Sequence, residues 1–103
     1  MLNAFFTAAP AGLAIVDRDL RYMQLNETLA HMNGRSVAEH LGKSVREVLP
    51  ELAPRLEPTL RHILATREPA LNIEVSGETP AEPGLTRHWK ASYFPLLDST
   101  GAP

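Results

Sequence analysis

The chain has no cysteine among its 103 residues. That excludes a disulfide framework, a thiolate metal site and a cysteine nucleophile. It also has no excess of positive charge: 10 basic residues stand against 12 acidic ones, for a net charge of −2. Binding to nucleic acid rests on neutralising phosphates, and no basic cluster with interleaved aromatics is present to do so. No apolar run approaches the ~18 residues that would span a bilayer. The opening stretch from Met1 to Pro10 is apolar but lacks the basic leading region of a signal peptide, and it runs straight into a strand pattern. Repeats and low-complexity segments are missing. So is a phosphate-binding glycine loop, because Gly77 and Gly84 bracket prolines and acids, the wrong chemistry for an anion cradle. The expectation is a single cytoplasmic domain over residues 1–103, large enough for one modest core.

What is present divides on its punctuation. Leu2 to Ala8 can form a short apolar helix before Pro10. Two strands follow, about Leu13 to Val16 and Arg21 to Leu25, joined by a turn at Asp17 to Asp19. Asn26 is placed to cap a helix from Glu27, and Gly34 to end it in the left-handed conformation. Ser36 with Glu39, and Ser44 with Glu47, both have capping-box spacing, which predicts two short helices separated by Gly42. A longer helix spans about Ala53 to Thr66, with Leu56, Leu60, Ile63 and Leu64 on one face. Pro54 and Pro58 are tolerable there only in a first turn, whose amide hydrogens have no partner anyway. Leu71, Ile73 and Val75 then alternate with polar residues, and Trp89, Ala91 and Tyr93 alternate with His88, Lys90 and Ser92. Both have the period of half-buried strands. The order predicts an α+β domain with helices packed on one face of an antiparallel sheet.

The blocks running from Pro10 through Tyr22, then Asn26, Asn33-Gly34, His40-Leu41-Gly42 and Val48-Leu49-Pro50, resemble successive blocks of a bacterial PAS subfamily. Glu74 to Ala81, His88-Trp89 and Tyr93-Phe94-Pro95 continue the likeness, so that it covers essentially the whole chain. The resemblance implies a sensory or interaction module, not an enzyme. It implies a signal-transduction role such as in a two-component system, upstream of a histidine kinase, a cyclic-di-nucleotide enzyme or a phosphatase. It also implies a ligand site between the inner sheet face and the helices. The matching wall positions are Asn33, Leu60, Ile63, Leu64, Leu71, Ile73, Trp89, Ala91 and Tyr93. Strand parity turns Leu71, Ile73, Trp89, Ala91 and Tyr93 toward the helices and His88, Lys90 and Glu74 away from them.

Asn33 has two readings: a buried carboxamide orienting a polar ligand, or a residue that simply ends its helix before Gly34. The apolar wall positions would form the core whether or not a pocket exists. The four histidines read as surface residues, His62 on the polar side of the long helix and His31, His40 and His88 on separate elements. No metal site is therefore expected. Haem lacks a ligand at the matching helical position, and a cysteinyl-flavin adduct lacks its cysteine.

Three function classes stay open, the least favoured being a small stand-alone enzyme, for which no convergent acid–base pair is found. The leading one is a small-molecule sensor whose ligand shifts the balance of two conformations. The second is a ligand-free homodimerisation module. Leu2, Phe5 and Phe6 form an apolar cluster expected to pack on the outer sheet face or against its counterpart in a homodimer. The resemblance further implies a last strand, central in the sheet, that residues up to Pro103 do not supply. The expected consequence is that the two hairpins, 13–25 and 71–94, do not pair directly within one monomer: they either fail to form one continuous ladder or close the gap with a strand borrowed from another copy.

Overall fold

A computed structural model describes residues 11–79 and 82–96. The segment holding Leu2, Phe5 and Phe6 lies outside the described residues. Strand β1 (Gly12–Val16) and strand β2 (Tyr22–Leu25) form an antiparallel hairpin. Its turn is held by Asp17, whose Oδ1 accepts from the amides of Asp19 at 2.9 Å and Arg21 at 3.0 Å. Such an aspartate turn replaces backbone partners that a tight loop cannot provide.

Helix α1 (Glu27–Asn33) starts on the Asn26 cap and stops at Gly34, at φ 81. Its approach to the sheet is close. A Cβ on Gly12 would lie 2.9 Å from Leu29 Cδ1, so any side chain there would have to displace Leu29. Helices α2 (Val37–His40) and α3 (Val45–Val48) each carry the complete reciprocal capping box expected of Ser36–Glu39 and Ser44–Glu47. Helix α4 (Ala53–Thr66) buries Leu56, Leu60, Ile63 and Leu64, as its apolar stripe predicts. Pro54 sits in its first turn, but Pro58 lies a full turn further in than anticipated. Both prolines are exposed, so the carbonyl left without an amide partner faces water.

Strands β3 (Ala70–Gly77) and β4 (Arg87–Pro95) pair antiparallel and complete a sheet of order β2-β1-β4-β3. Here the structure corrects the sequence reading twice. First, β1 and β4 pair directly and parallel, with Gly12 opposite Ala91 and Val16 opposite Pro95. No strand separates the hairpins, and the sheet is mixed rather than purely antiparallel. The physical reason is that Ala14, Val16, Ala91 and Tyr93 all turn into the same core. Direct pairing brings them together while satisfying the free edge of β1.

Second, Leu71 does not face the helices; it is 60% exposed. The register shifts between Ala70, opposite Tyr93, and Ile73, opposite Ala91, so β3 carries one extra residue there. Such a bulge reverses side-chain parity. Asn72 takes the left-handed conformation at φ 52, and its amide donates to Ser92 Oγ at 2.9 Å. Downstream of the bulge the expected parity holds. Trp89, Ala91 and Tyr93 are buried while Glu74, His88 and Lys90 are exposed.

The free edge of β2 is also covered. Arg21 and Tyr22 form bridges to Ser44 and Leu41, the segment between α2 and α3. The Tyr22 amide donates to the Lys43 carbonyl, and the Gly42 amide donates to that of Tyr22, both at 2.9 Å. These contacts press α2 onto the sheet and set the position of His40.

Candidate functional site

Tyr22 and Tyr93 point from β2 and β4 into the core and are fully buried. Asn33, the last residue of α1, and His40, the last of α2, are equally inaccessible. His40 is thus not a surface residue, as its sequence context suggests, whereas His31, His62 and His88 are exposed. Its ring meets that of Tyr22 edge-on, with centroids 5.0 Å apart and planes at 87°.

The hydrogen bonds of His40 define its state. Nδ1 lies 2.8 Å from the Ser36 carbonyl, which can only accept, so Nδ1 carries the hydrogen. Nε2 of the neutral ring is then an acceptor and takes the Asn33 Nδ2 hydrogen at 3.0 Å. Burial lowers the His40 pKa from its ordinary 6.5; the Ser36 carbonyl opposes this, nearby Arg35 reinforces it, and Glu39 opposes it. The neutral ring is favoured.

Three polar atoms of this cluster have no hydrogen-bond partner in the protein: Tyr22 Oη, Asn33 Oδ1 and Tyr93 Oη. They share one neighbourhood. Burial raises the Tyr22 pKa, and the Tyr93 phenol raises it further; the Asn33 carboxamide lies near enough to offset part of the rise without reaching hydrogen-bond geometry. Burial alone pushes up that of Tyr93. Both phenols therefore stay protonated and offer donors, while Asn33 Oδ1 offers an acceptor. Leaving a buried polar group unpaired costs about 1–3 kcal/mol. Three of them would cost roughly 3–9 kcal/mol, comparable with the whole stability of a small domain. The arrangement is therefore suited to a polar guest.

The structure brings only part of the expected wall together. Asn33, Ala91 and Tyr93 belong to the interior, and Leu60, Ile63 and Leu64 belong to the apolar core cluster. Trp89 belongs to the same cluster, and the half-buried Ile73 packs against it while also lining a groove between α4 and β3. Leu71 takes no part. Tyr22 and His40 complete the cluster but were missed from sequence, because their burial depends on the bridges to 41–44. Among the described residues no group of three or more histidines and carboxylates could hold a metal ion. Likewise, no described helix is long and apolar enough to cross a membrane.

Fold and site together define a small α+β domain with one helical layer over a four-stranded sheet and a buried polar cluster within an apolar core. A family model described as the PAS fold matches residues 6–103, and the chain belongs to that family. Its members are characteristically sensory or signalling input modules. No curated protein matches the chain. Among solved structures, too, none matches.

Proposed function

We propose that this domain is a non-enzymatic sensory input module that takes up a small polar molecule between the inner sheet face and helices α1 and α2. Occupancy shifts its conformation, and the shift is passed to an output domain of the full-length protein. The observation that carries this reading is the trio of buried, unpartnered atoms on Tyr22, Asn33 and Tyr93. Two phenols and one carboxamide oxygen are buried there, none of them in a hydrogen bond of good geometry within the protein. Native mass spectrometry of the purified domain, with a thermal-shift screen of small hydroxylic and amide compounds, tests it. A bound compound whose affinity falls in Asn33→Leu supports the reading. Occupation by water alone, with no compound raising the melting temperature, would overturn it.

A second reading, a homodimerisation module, is favoured by exposed apolar side chains on the sheet. Met23 on β2 is 40% exposed and Leu71 on β3 60%. Sedimentation of the chain with and without residues 1–8 separates the two readings. A concentration-independent monomer in both would remove the dimer.

A further inference from the structure

We infer that proton uptake by His40 turns the Asn33 carboxamide over, and so changes what the buried polar site accepts, from a neutral donor-bearing guest to a small carboxylate. The inference rests on the proposal that this interior holds a guest.

Its basis is the geometry of one pair of side chains. The Ser36 carbonyl, 2.8 Å from Nδ1, holds a hydrogen on that nitrogen in either charge state of the ring. All change on protonation therefore falls on Nε2, which faces Asn33 Nδ2 at 3.0 Å. Once Nε2 carries a hydrogen, two donors confront each other. Rotation of the carboxamide by half a turn relieves this, since Oδ1 then accepts from Nε2. The same rotation delivers the NH2 group to the place now held by the unpartnered Oδ1.

The consequence for the site is a reversal of polarity. With neutral His40 the interior offers an acceptor from Asn33 and donors from Tyr22 and Tyr93. With the imidazolium Asn33 presents a donor in place of that acceptor, beside a positive charge. Small carboxylates supply acceptors and the opposite charge, and charge-assisted bonds of that kind are the stronger ones. The groups facing His40 are Tyr22 from β2, Asn33 from α1, Arg35 and the Ser36 carbonyl from the connection, and Glu39 on its own helix. Arg35 opposes protonation and Glu39 favours it. Neither replaces the missing partner inside. Linkage then makes the coupling reciprocal: a guest that prefers the imidazolium raises the pH at which His40 titrates.

NMR of the full chain, following the ring nitrogens of His40 and the side-chain NH2 of Asn33 against pH, tests this directly. Acetate serves as the carboxylate probe, with matched sodium chloride as control. The expected result is a common midpoint for His40 and the Asn33 NH2 resonances, raised by acetate. A tenfold preference for the protonated state raises it by about one pH unit at saturation. Exposed His31, His62 and His88 report any general effect of the salt. The acetate effect should vanish in Asn33→Leu. If the Asn33 resonances do not follow His40, the switch is overturned, even where a neutral guest binds at alkaline pH. If they follow it but acetate leaves the midpoint in place, the carboxylate assignment is overturned.

Discussion

Two buried asparagines flank helix α1, and they are used in opposite ways. Asn26, at its start, spends its whole side chain on the fold. Its Oδ1 accepts from the amides of Leu29 and Leu13, each at 3.0 Å, and its Nδ2 donates to the Ala11 carbonyl at 2.9 Å. One residue thereby caps the helix and pins it to the start of β1. Asn33, at the other end, has one partner, His40, and leaves Oδ1 buried with none. Residue type and burial are the same; the difference is satisfaction. A satisfied buried carboxamide specifies structure, whereas a half-satisfied one marks where something else belongs.

The largest effect should come from breaking the satisfied residue. Asn26→Ala removes the cap and leaves the Leu13 amide and the Ala11 carbonyl without partners, a loss of about 2–4 kcal/mol by chemical denaturation. Asn33→Leu should cost about 1 kcal/mol or less, because losing the bond to His40 is offset by removing the orphaned oxygen. Equal losses in the two variants would erase the distinction drawn between them.

The two capping boxes sharpen the comparison. Ser36→Ala and Ser44→Ala should each cost about 1 kcal/mol. Only the first should disturb the titration of His40: alanine keeps the carbonyl that accepts from Nδ1, but losing the cap loosens the turn of α2 that holds this carbonyl and the ring in place.

A smaller effect is expected from pH. The folded-state pKa of His40 is lowered, so the unfolded chain binds the proton more readily. Stability is fully present above the ordinary value of 6.5 and declines as pH falls below it, levelling off beneath the folded pKa. The slope in that window is at most about 1.4 kcal/mol per pH unit. Glu39 and Glu47, lowered by their hydrogen bonds to Ser36 and Ser44, add a separate decline that begins only below 4.5. Measuring denaturation against pH in wild type and His40→Gln separates the windows. The upper decline should be absent from the variant.

What could be read from the sequence follows the range of the forces involved. The caps at Asn26, Ser36 and Ser44, the stop at Gly34 and the extent of α4 obey rules acting over a few residues, and all were legible. The inward face of β4 followed from strict alternation. The bulge at Leu71 and Asn72 was not legible, because one inserted residue breaks the alternation without any glycine or proline to announce it. Nor was the burial of His40. A four-residue helix is too short to show a period. Its inward side is chosen by bridges from Tyr22 to Leu41 and from Arg21 to Ser44, which are contacts distant in sequence. The direct pairing of β1 with β4 is likewise a choice made by the common core rather than by either strand alone. Asn33 stood out as a candidate from sequence. Its unpartnered oxygen, and the tyrosines that share the site, needed three dimensions.

The central claim is that the Tyr22 and Tyr93 hydroxyls serve a guest and not the fold. Chemical denaturation of the guest-free double variant Tyr22→Phe/Tyr93→Phe tests it most directly. The expected result is stability equal to or above that of guest-free wild type, because two unpaired buried hydroxyls are removed while both rings still fill the core. A loss of about 2 kcal/mol or more would show that the hydroxyls are bonded within the protein, and would contradict it.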